Sequence, residues 1–304
     1  METPINILDV VYDEDAEGGW LSNQVQHAIA QLSLLLGKPG KTLDGKDCLI
    51  PRDFEPEEAG VLDRALMLLY RTVTPSSPLS QMPLLNDLIV TLEQFHEREA
   101  RKIARTLRIK LFGTDDPAEQ ELTTIGRCFN ASTQVDWRFG TDITYYNTAN
   151  VPQMYRPFFY LQIIGAILRF MRDPSRDRTR KTILAIDEFG YVTQIEALAR
   201  LAATITKVAR KYGIGLIAID QNPLTFLESE NGRYIFENCV AKVAFRLDET
   251  PARQLAGAIR DMSESHIAEL TKFEPGQCLA VVRNDIYIVN VEVSPREMRA
   301  FKGS

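Results

Sequence analysis

The sequence predicts an α/β fold in which a mostly parallel sheet, flanked by helices, carries an inserted all-helical subdomain. Beyond Gly126, strand-like apolar runs alternate with helical ones. The runs at 183–186 and 215–219 have no polar face, which is typical of parallel strands covered by helices on both sides. Between Ser22 and Asn130, apolar residues recur instead at the spacing of helix faces, and almost nothing indicates a strand.

Length and composition limit the class of protein. The 304 residues are 45% hydrophobic and 25% charged, which fits one large domain, or a domain with a subdomain, and excludes a mostly disordered chain. No apolar run reaches the about eighteen residues of a transmembrane helix, and the N-terminus does not resemble a secretory signal. The four cysteines form no CxxC pair, so we expect a reducing, cytosolic compartment and neither a disulfide framework nor a zinc site. The net charge of -6 argues against a generally basic nucleic-acid binder.

The first half of the chain begins with a predicted strand at 5–11 and an acidic loop. Periodicity and capping signals then predict helices that begin at Ser22 and near Asp53, span 84–95 and 97–111, and follow the capping-box sequence at Asp116. Residues 38–51 are predicted to form a loop.

The second half contains the predicted sheet. The strands are expected at 142–146, 182–187, 215–219, 240–247, 278–282 and 286–293, the last two as a hairpin. The helices are expected at 157–171, 194–212, 251–259 and 264–270. The predicted organisation is an α/β core formed by residues 1–20 and 131–304, with an all-helical subdomain over residues 21–130.

Two adjacent acids form the sharpest motif. The apolar run at 183–186 is followed directly by Asp187 and Glu188, in the manner of a Walker B strand. A buried strand would deliver both carboxylates to the carboxyl edge of a parallel sheet, where such sheets bind ligands. Asp187 could then hold Mg²⁺, and Glu188 could polarise a water that attacks a γ-phosphate. The alternative is a strand that ends in a turn with two solvated acids.

The next strand also ends in a polar side chain. Gln221 follows the run at 215–219 and could lie beside Glu188, where it would sense the γ-phosphate or its water. Alternatively, Gln221 is a helix cap or a turn residue before Pro223.

Three cations are candidates for phosphate contacts across a subunit boundary. Arg210 and Lys211 end a predicted helix, where the helix dipole alone also favours positive charge. Arg246 lies near the end of a predicted strand and could act as an arginine finger. The alternative is an ordinary exposed cation at a strand end.

In this order, the features resemble the C-terminal motor domain of the VirB-type conjugation ATPases of type IV secretion systems. These ATPases belong to the HerA/FtsK-like P-loop NTPases and have a RecA-like core. The resemblance rests on the ordered set 130–137, 142–146, 158–170, 183–188, 210–211 and Gln221, and the strand at 5–11 with its long helical subdomain also fits.

The resemblance implies an ATPase that assembles into a ring, as a hexamer, with other secretion or conjugation components beneath the bacterial inner membrane. It implies ATP and Mg²⁺ as the nucleotide and metal. Asp187 would serve Mg²⁺, Glu188 the catalytic water and Gln221 the γ-phosphate. Arg210 and Arg246 would act at a neighbouring subunit's nucleotide, and Lys211 would contact phosphate there.

The sequence departs from that family at two places. Phe189 and Gly190 follow the acid pair, where the family often has a small residue. No G-x-x-x-x-G-K-[ST] sequence occurs; the nearest run, 37–42, has the wrong spacing and no strand before it. The resemblance places a P-loop upstream of Met1, so we expect this chain alone to bind ATP weakly or not at all. The alternatives are a non-hydrolysing docking module and a DNA-translocating relative.

One predicted helix is strongly basic. Arg98, Arg101, Arg105 and Arg108 recur at helical spacing and could contact DNA, an acidic partner or lipid headgroups. The alternative is a solvated helix face that acidic neighbours partly balance.

Overall fold

The computed structural model describes residues 4–11, 18–41, 47–116, 118, 121–134, 143–149, 151–172, 176–177 and 179–302. Helices and strands are mixed along the chain, so the predicted α/β class is confirmed. The chain forms two compact units, the first from residues 1–182 and 208–214 and the second from residues 183–207 and 215–304. The predicted boundaries of the helical subdomain stay a prediction. None of the helices in the described part of the chain is long and apolar enough to cross a bilayer.

The described part of the first unit is mainly helical. Its helices are α1 (Trp20–Leu35), α2 (Pro56–Tyr70), α3 (Leu85–Glu93), α4 (Arg98–Phe112), α5 (Thr124–Phe129) and α6 (Arg156–Arg172). Most apolar side chains of these helices are buried, for example Leu66 of α2 and Leu107 of α4. The helix predicted after Asp116 begins only at Thr124, because the Thr123 hydroxyl caps it by accepting from Gly126 N–H at 3.1 Å. Positions 117, 119 and 120 lie outside the described residues.

The segment 5–11 forms no strand, so the strand predicted there is wrong. Its apolar side chains are buried, which explains the apolar pattern, but its backbone is bonded by side chains instead of a neighbouring strand. Asn6 N–H donates to Thr133 Oγ1 at 2.8 Å, and the Tyr70 hydroxyl donates to Leu8 O at 2.9 Å. Buried backbone groups need partners, and here side chains of α2 and of the segment after α5 supply them.

A hairpin replaces the loop predicted at 38–51. Strands β1 (Lys38–Lys41) and β2 (Asp47–Ile50) pair antiparallel, with Gly40 opposite Cys48. The sequence gives little sign of this pairing, because the strands are short and mostly exposed. The strand predicted at 142–146 is also wrong over its described positions, 143–146, which form no regular element.

The second half of the chain follows the predicted alternation more closely. In order it forms β3 (Thr182–Ile186), α7 (Gly190–Gln194), α8 (Glu196–Ala209), β4 (Ile214–Ala218), α9 (Leu224–Leu227), α10 (Glu230–Asn238), β5 (Ala241–Ala244), α11 (Glu249–Ala258), α12 (Glu264–Leu270), β6 (Gln277–Val282), β7 (Asp285–Asn290) and α13 (Pro295–Lys302). The predicted hairpin near the end of the chain is confirmed as β6 and β7.

Strands β3 and β4 run in parallel, as predicted. Thr182 N–H bonds to Gly213 O at their start, and Ile219 N–H bonds to Ile186 O at their end. The expectation that both faces are buried is wrong, since Ile183 is 71% exposed and Ile217 is 48% exposed. Among the described residues, these two strands pair only with each other.

The other three strands form a separate antiparallel sheet in the order β5-β6-β7. The sheet therefore departs from the parallel arrangement predicted for the strand at 240–247. Helices α11 and α12 pack against it, with Leu255 and Leu270 buried together with Leu279 of β6. This cluster supplies the core of the C-terminal part of the second unit.

The buried His27 of α1 makes stability depend on pH. Burial lowers its pKa from 6.5 to about 4, so in acid the unfolded chain binds a proton that the folded chain does not. The stability that neutral His27 contributes is complete above pH 6.5, its pKa in the unfolded chain. It is lost as the pH falls toward about 4, its pKa in the folded chain. Between pH 7 and pH 5 we expect the free energy of unfolding to decrease by about 2 kcal/mol because of His27. Urea unfolding at both pH values measures this. His27→Gln should remove that part of the decrease, whereas His96→Gln, at an exposed position, should not.

Candidate functional site

The candidate site is built where β3 and β4 end. Ile219 N–H donates to Ile186 O, and Phe189 N–H donates back to Ile219 O, both at 2.9 Å. These two bonds hold the residues after β3 directly beside the residues after β4. The structure therefore brings the acid pair, Asp187 and Glu188, next to the segment that carries Gln221.

The acid pair has an unusual backbone conformation. Glu188 has a φ of 51°, in the left-handed region that residues other than glycine rarely adopt. The bond from Glu188 N–H to Asp187 Oδ1, at 2.9 Å, holds the turn from one side, and the Phe189 bond to β4 holds it from the other. Such a conformation costs about 1 kcal/mol or more and persists only where its surroundings enforce it, most often at functional sites.

Phe189 and Gly190 anchor this turn to the core. The Phe189 ring is fully buried and stacks on Phe226, with centroids 5.5 Å apart and planes 14° apart. A Cβ on Gly190 would lie 2.8 Å from Asp220 Oδ2 and 3.0 Å from the Thr225 side chain, so a larger residue there would displace these side chains. The departure from the family at these two positions therefore has a packing reason.

Asp220 is the residue of the site that the sequence analysis missed. One carboxylate oxygen accepts from Gly190 N–H, at the start of α7, and the other accepts from Asn222 N–H at 3.1 Å. One side chain thus ties the turn after β3 to the turn after β4. No sequence signal separates this role from an ordinary strand-end acid, because Asp220 and Gly190 lie thirty positions apart.

Asp220→Ala should lower the free energy of unfolding by about 1–2 kcal/mol, because two backbone N–H groups lose a charged acceptor. Asp220→Asn keeps an acceptor oxygen and should lose less. Denaturant unfolding measures both. Asp248→Ala is the matched control, since Asp248 precedes α11 without a side-chain capping bond, and its effect should stay within about 0.5 kcal/mol.

The remaining predicted site residues are exposed, and their roles stay predictions. Gln221 follows β4 with its side chain in solvent. Arg210 and Lys211 precede β4, and the Lys211 ammonium lies 5.6 Å from the Tyr212 ring centroid. Arg246 follows β5, whose sheet shares no strand pairing with β3 and β4 among the described residues.

The donor set suits a magnesium ion that is held mainly by its substrate. In the described ranges, no group of three or more His, Cys, Asp or Glu side chains is placed to hold a metal ion. Mg²⁺ usually takes only one or two carboxylates and completes its shell with waters and substrate phosphates. Asp187, exposed beside the half-buried Glu188, fits such a site.

The glycine-lysine run at 37–42 is not a phosphate loop in its described part. It follows helix α1 and forms β1 of the hairpin, so it has neither the strand before it nor the helix after it that a P-loop needs. Its glycines serve close packing, since a Cβ on Gly37 would lie 2.3 Å from Ile50 O. The position of Thr42 lies outside the described residues.

The basic face predicted on α4 is only partly exposed. Arg98, Arg101 and Arg105 are exposed, but Arg108 is buried and its guanidinium bonds to Glu93. Arg108 therefore cannot contribute to an exposed basic face. Arg105 Nε also forms an ion pair with Asp115 at 2.9 Å.

The comparisons with known proteins concern the fold. The structure of VirB4 from Thermoanaerobacter pseudethanolicus aligns with a TM-score of 0.72 at 20% identity, over 98% of this chain and 76% of that chain. This chain has the fold of VirB4. The plasmid coupling protein TrwB, in complex with ADP and Mg²⁺, aligns with a TM-score of 0.48 at 12% identity, over 96% of this chain and 71% of that chain. No protein-family model matches the sequence, and no curated protein matches it either.

The VirB4 likeness confirms the architecture that the resemblance implied. At 20% identity it establishes the fold alone, so the activity has to be argued from the site.

Proposed function

We propose that this chain is the ATPase motor module of a conjugative transfer or type IV secretion apparatus. The observation that carries the proposal is the acid pair at the end of β3, held in a strained turn beside the end of β4. The carboxyl ends of parallel strands are where open α/β folds bind nucleotides. The fold of VirB4 over nearly the whole chain supports the same reading.

The roles follow from where each side chain lies. Asp187 would hold Mg²⁺, which supplies charge neutralisation at the phosphates when bound. Glu188 would accept a hydrogen bond from the attacking water and orient it, and its left-handed backbone would fix the direction of the carboxylate. Gln221, at the adjacent strand end, would sense the γ-phosphate.

The exposed cations would act between subunits of a ring. Arg210 and Arg246 would stabilise negative charge on the nucleotide of a neighbouring subunit, and Lys211 would contact its phosphate. All three are exposed in this chain, as residues that act on another subunit must be. We propose a hexameric ring with other secretion components, peripheral to the bacterial inner membrane.

A non-hydrolysing docking module is the second candidate, because the 304 residues contain no Walker A sequence. Steady-state hydrolysis of Mg-ATP by the complete product of the gene, whatever its extent, separates the two. Both candidates predict weak or no Mg-ATP binding by this chain, and only the motor predicts turnover by the complete product. Absence of both nucleotide binding and turnover in the full-length protein would favour docking.

A DNA-translocating relative is the third candidate. The exposed cations Arg98, Arg101 and Arg105 would contact the DNA backbone. Charge reversal at Arg98 and Arg101 should then weaken DNA binding and reduce its salt dependence. Unchanged binding would exclude this face as the contact.

A further inference from the structure

A cavity of about 730 Å³ lies in the first unit, between α4, α5 and the turn that precedes α6. Three cations of α4 line it: Lys102, Arg105 and Lys110. Apolar side chains contribute as well, among them Ile109 of α4 and Ile125 of α5. None of the described lining residues is acidic. The motor chemistry proposed above does not use this cavity.

The end of α4 is bonded to the start of α5 at one wall of the cavity. The Thr123 hydroxyl donates to Lys110 O at 2.7 Å, and Thr123 N–H donates to Leu111 O at 2.8 Å. A Cβ on Gly126 would lie 2.4 Å from Leu111 O, so the two helices meet at van der Waals contact. The cavity is therefore preformed, and a ligand would not have to order it.

Positive charge is available in the cavity. Lys110 has no acidic partner among the described residues, although it is only half exposed. Arg105 pairs with Asp115, which is 46% exposed, and such a pair is worth roughly 1 kcal/mol or less, so a ligand's carboxylate can replace it. Lys102 is different, because it pairs at 2.9 Å with the buried Glu58 and is needed there.

The apolar part of the cavity is open to solvent. Ile109 of α4 is 45% exposed although it lines the cavity. Beside it, Tyr155 packs edge-on against Phe129, with centroids 5.9 Å apart. Burial raises the pKa of the Tyr155 phenol, so its hydroxyl stays protonated and can donate a hydrogen bond. An exposed apolar patch with a cationic rim is typical of a site that takes an amphipathic ligand.

We propose that this cavity binds an acidic peptide segment of a partner protein, which inserts one apolar side chain between Ile109 and Ile125. Carboxylates on either side of that residue would reach Lys110 and Arg105, and Tyr155 would donate to a peptide carbonyl. Because the cavity is lined by cations, a complementary partner segment carries negative charge. The concave apolar centre favours a protein side chain over nucleic acid, whose phosphates need exposed cations and gain nothing from Ile109.

Fluorescence anisotropy with the full chain tests this proposal. The probe is a fluorescein-labelled peptide of Asp and Glu residues with a central Phe-Leu pair. We expect saturable binding that Lys110→Glu and Ile109→Ser each weaken by about fivefold or more. Both side chains are partly exposed, and the fold does not depend on a bond made by either of them. Thermal unfolding checks that each variant remains folded.

Three controls make the outcome decisive. Lys272→Glu, the same charge reversal at an exposed position of the second unit, should leave binding unchanged. The peptide with serines in place of Phe and Leu should bind at least about fivefold more weakly. No saturable binding, or equal weakening by Lys272→Glu, would overturn the proposal. Binding of a single-stranded oligonucleotide that depends on both Lys110 and Ile109 would also overturn the proposal.

Discussion

Glu188→Gln should reduce steady-state ATP turnover by the full-length gene product by about a hundredfold or more, with little change in Mg-ATP affinity. The amide has nearly the size of the carboxylate but lacks its negative charge, so it orients and polarises the attacking water poorly. Loss of a positioned general base typically costs between about a hundredfold and ten-thousandfold in rate. Phosphate release measures turnover, and calorimetry measures nucleotide affinity.

The matched control for this prediction is Glu237→Gln. Glu237 is an exposed residue of α10, so this substitution makes the same chemical change at another position of the same unit. Its turnover should equal that of the unchanged protein. Undiminished turnover by Glu188→Gln would refute the role proposed for Glu188, and no turnover by the unchanged protein would refute the ATPase proposal itself. The two failures are therefore distinguishable.

Gln24→Leu should lower the free energy of unfolding by roughly 3 kcal/mol or more. The buried Gln24 amide accepts from Val11 N–H at 2.9 Å and donates to Asp9 O at 3.0 Å. It also donates to the Tyr70 hydroxyl at 3.1 Å. Leucine fits the space but leaves these buried groups without that partner, and each loss costs about 1–3 kcal/mol. Urea denaturation monitored by circular dichroism measures the effect.

Gln26→Leu is the control for this substitution. Gln26 lies on the same helix, two positions away, with its side chain exposed, so its effect should stay within about 0.5 kcal/mol. If the two variants lose equal stability, the amide of Gln24 does not secure the segment 5–11. The substitution would then act only through the propensity and packing of α1.

Elements with a clear period were predictable. The amphipathic helices α1 to α4 and the apolar strands β3 and β4 appear close to their predicted positions, because local periodicity reports which face of an element is buried. The hairpin of β1 and β2 was missed because four-residue, mostly exposed strands have no such period. The segment 5–11 was predicted as a strand because buried extended chain and buried strand have the same apolar composition.

The candidate site was predictable in part for the same reason. An apolar run that ends in two acids identifies Asp187 and Glu188, and the next strand identifies Gln221. Asp220 was missed because its partner, the backbone N–H of Gly190, becomes a neighbour only when β3 and β4 pair. Likewise, the basic spacing of α4 did not reveal that Arg108 turns inward to Glu93.

The sequence by itself determined the α/β class, the acid pair and the helical character of the first half, since each depends on residue type and spacing along the chain. Only the tertiary structure decided how the turn at Glu188 is strained and what holds it, and which cations remain available on α4. It also decided how side chains replace a strand partner for the segment 5–11. The physical reason is that hydrogen bonds and burial join residues distant in the chain, whereas periodicity reports only on residues close to one another.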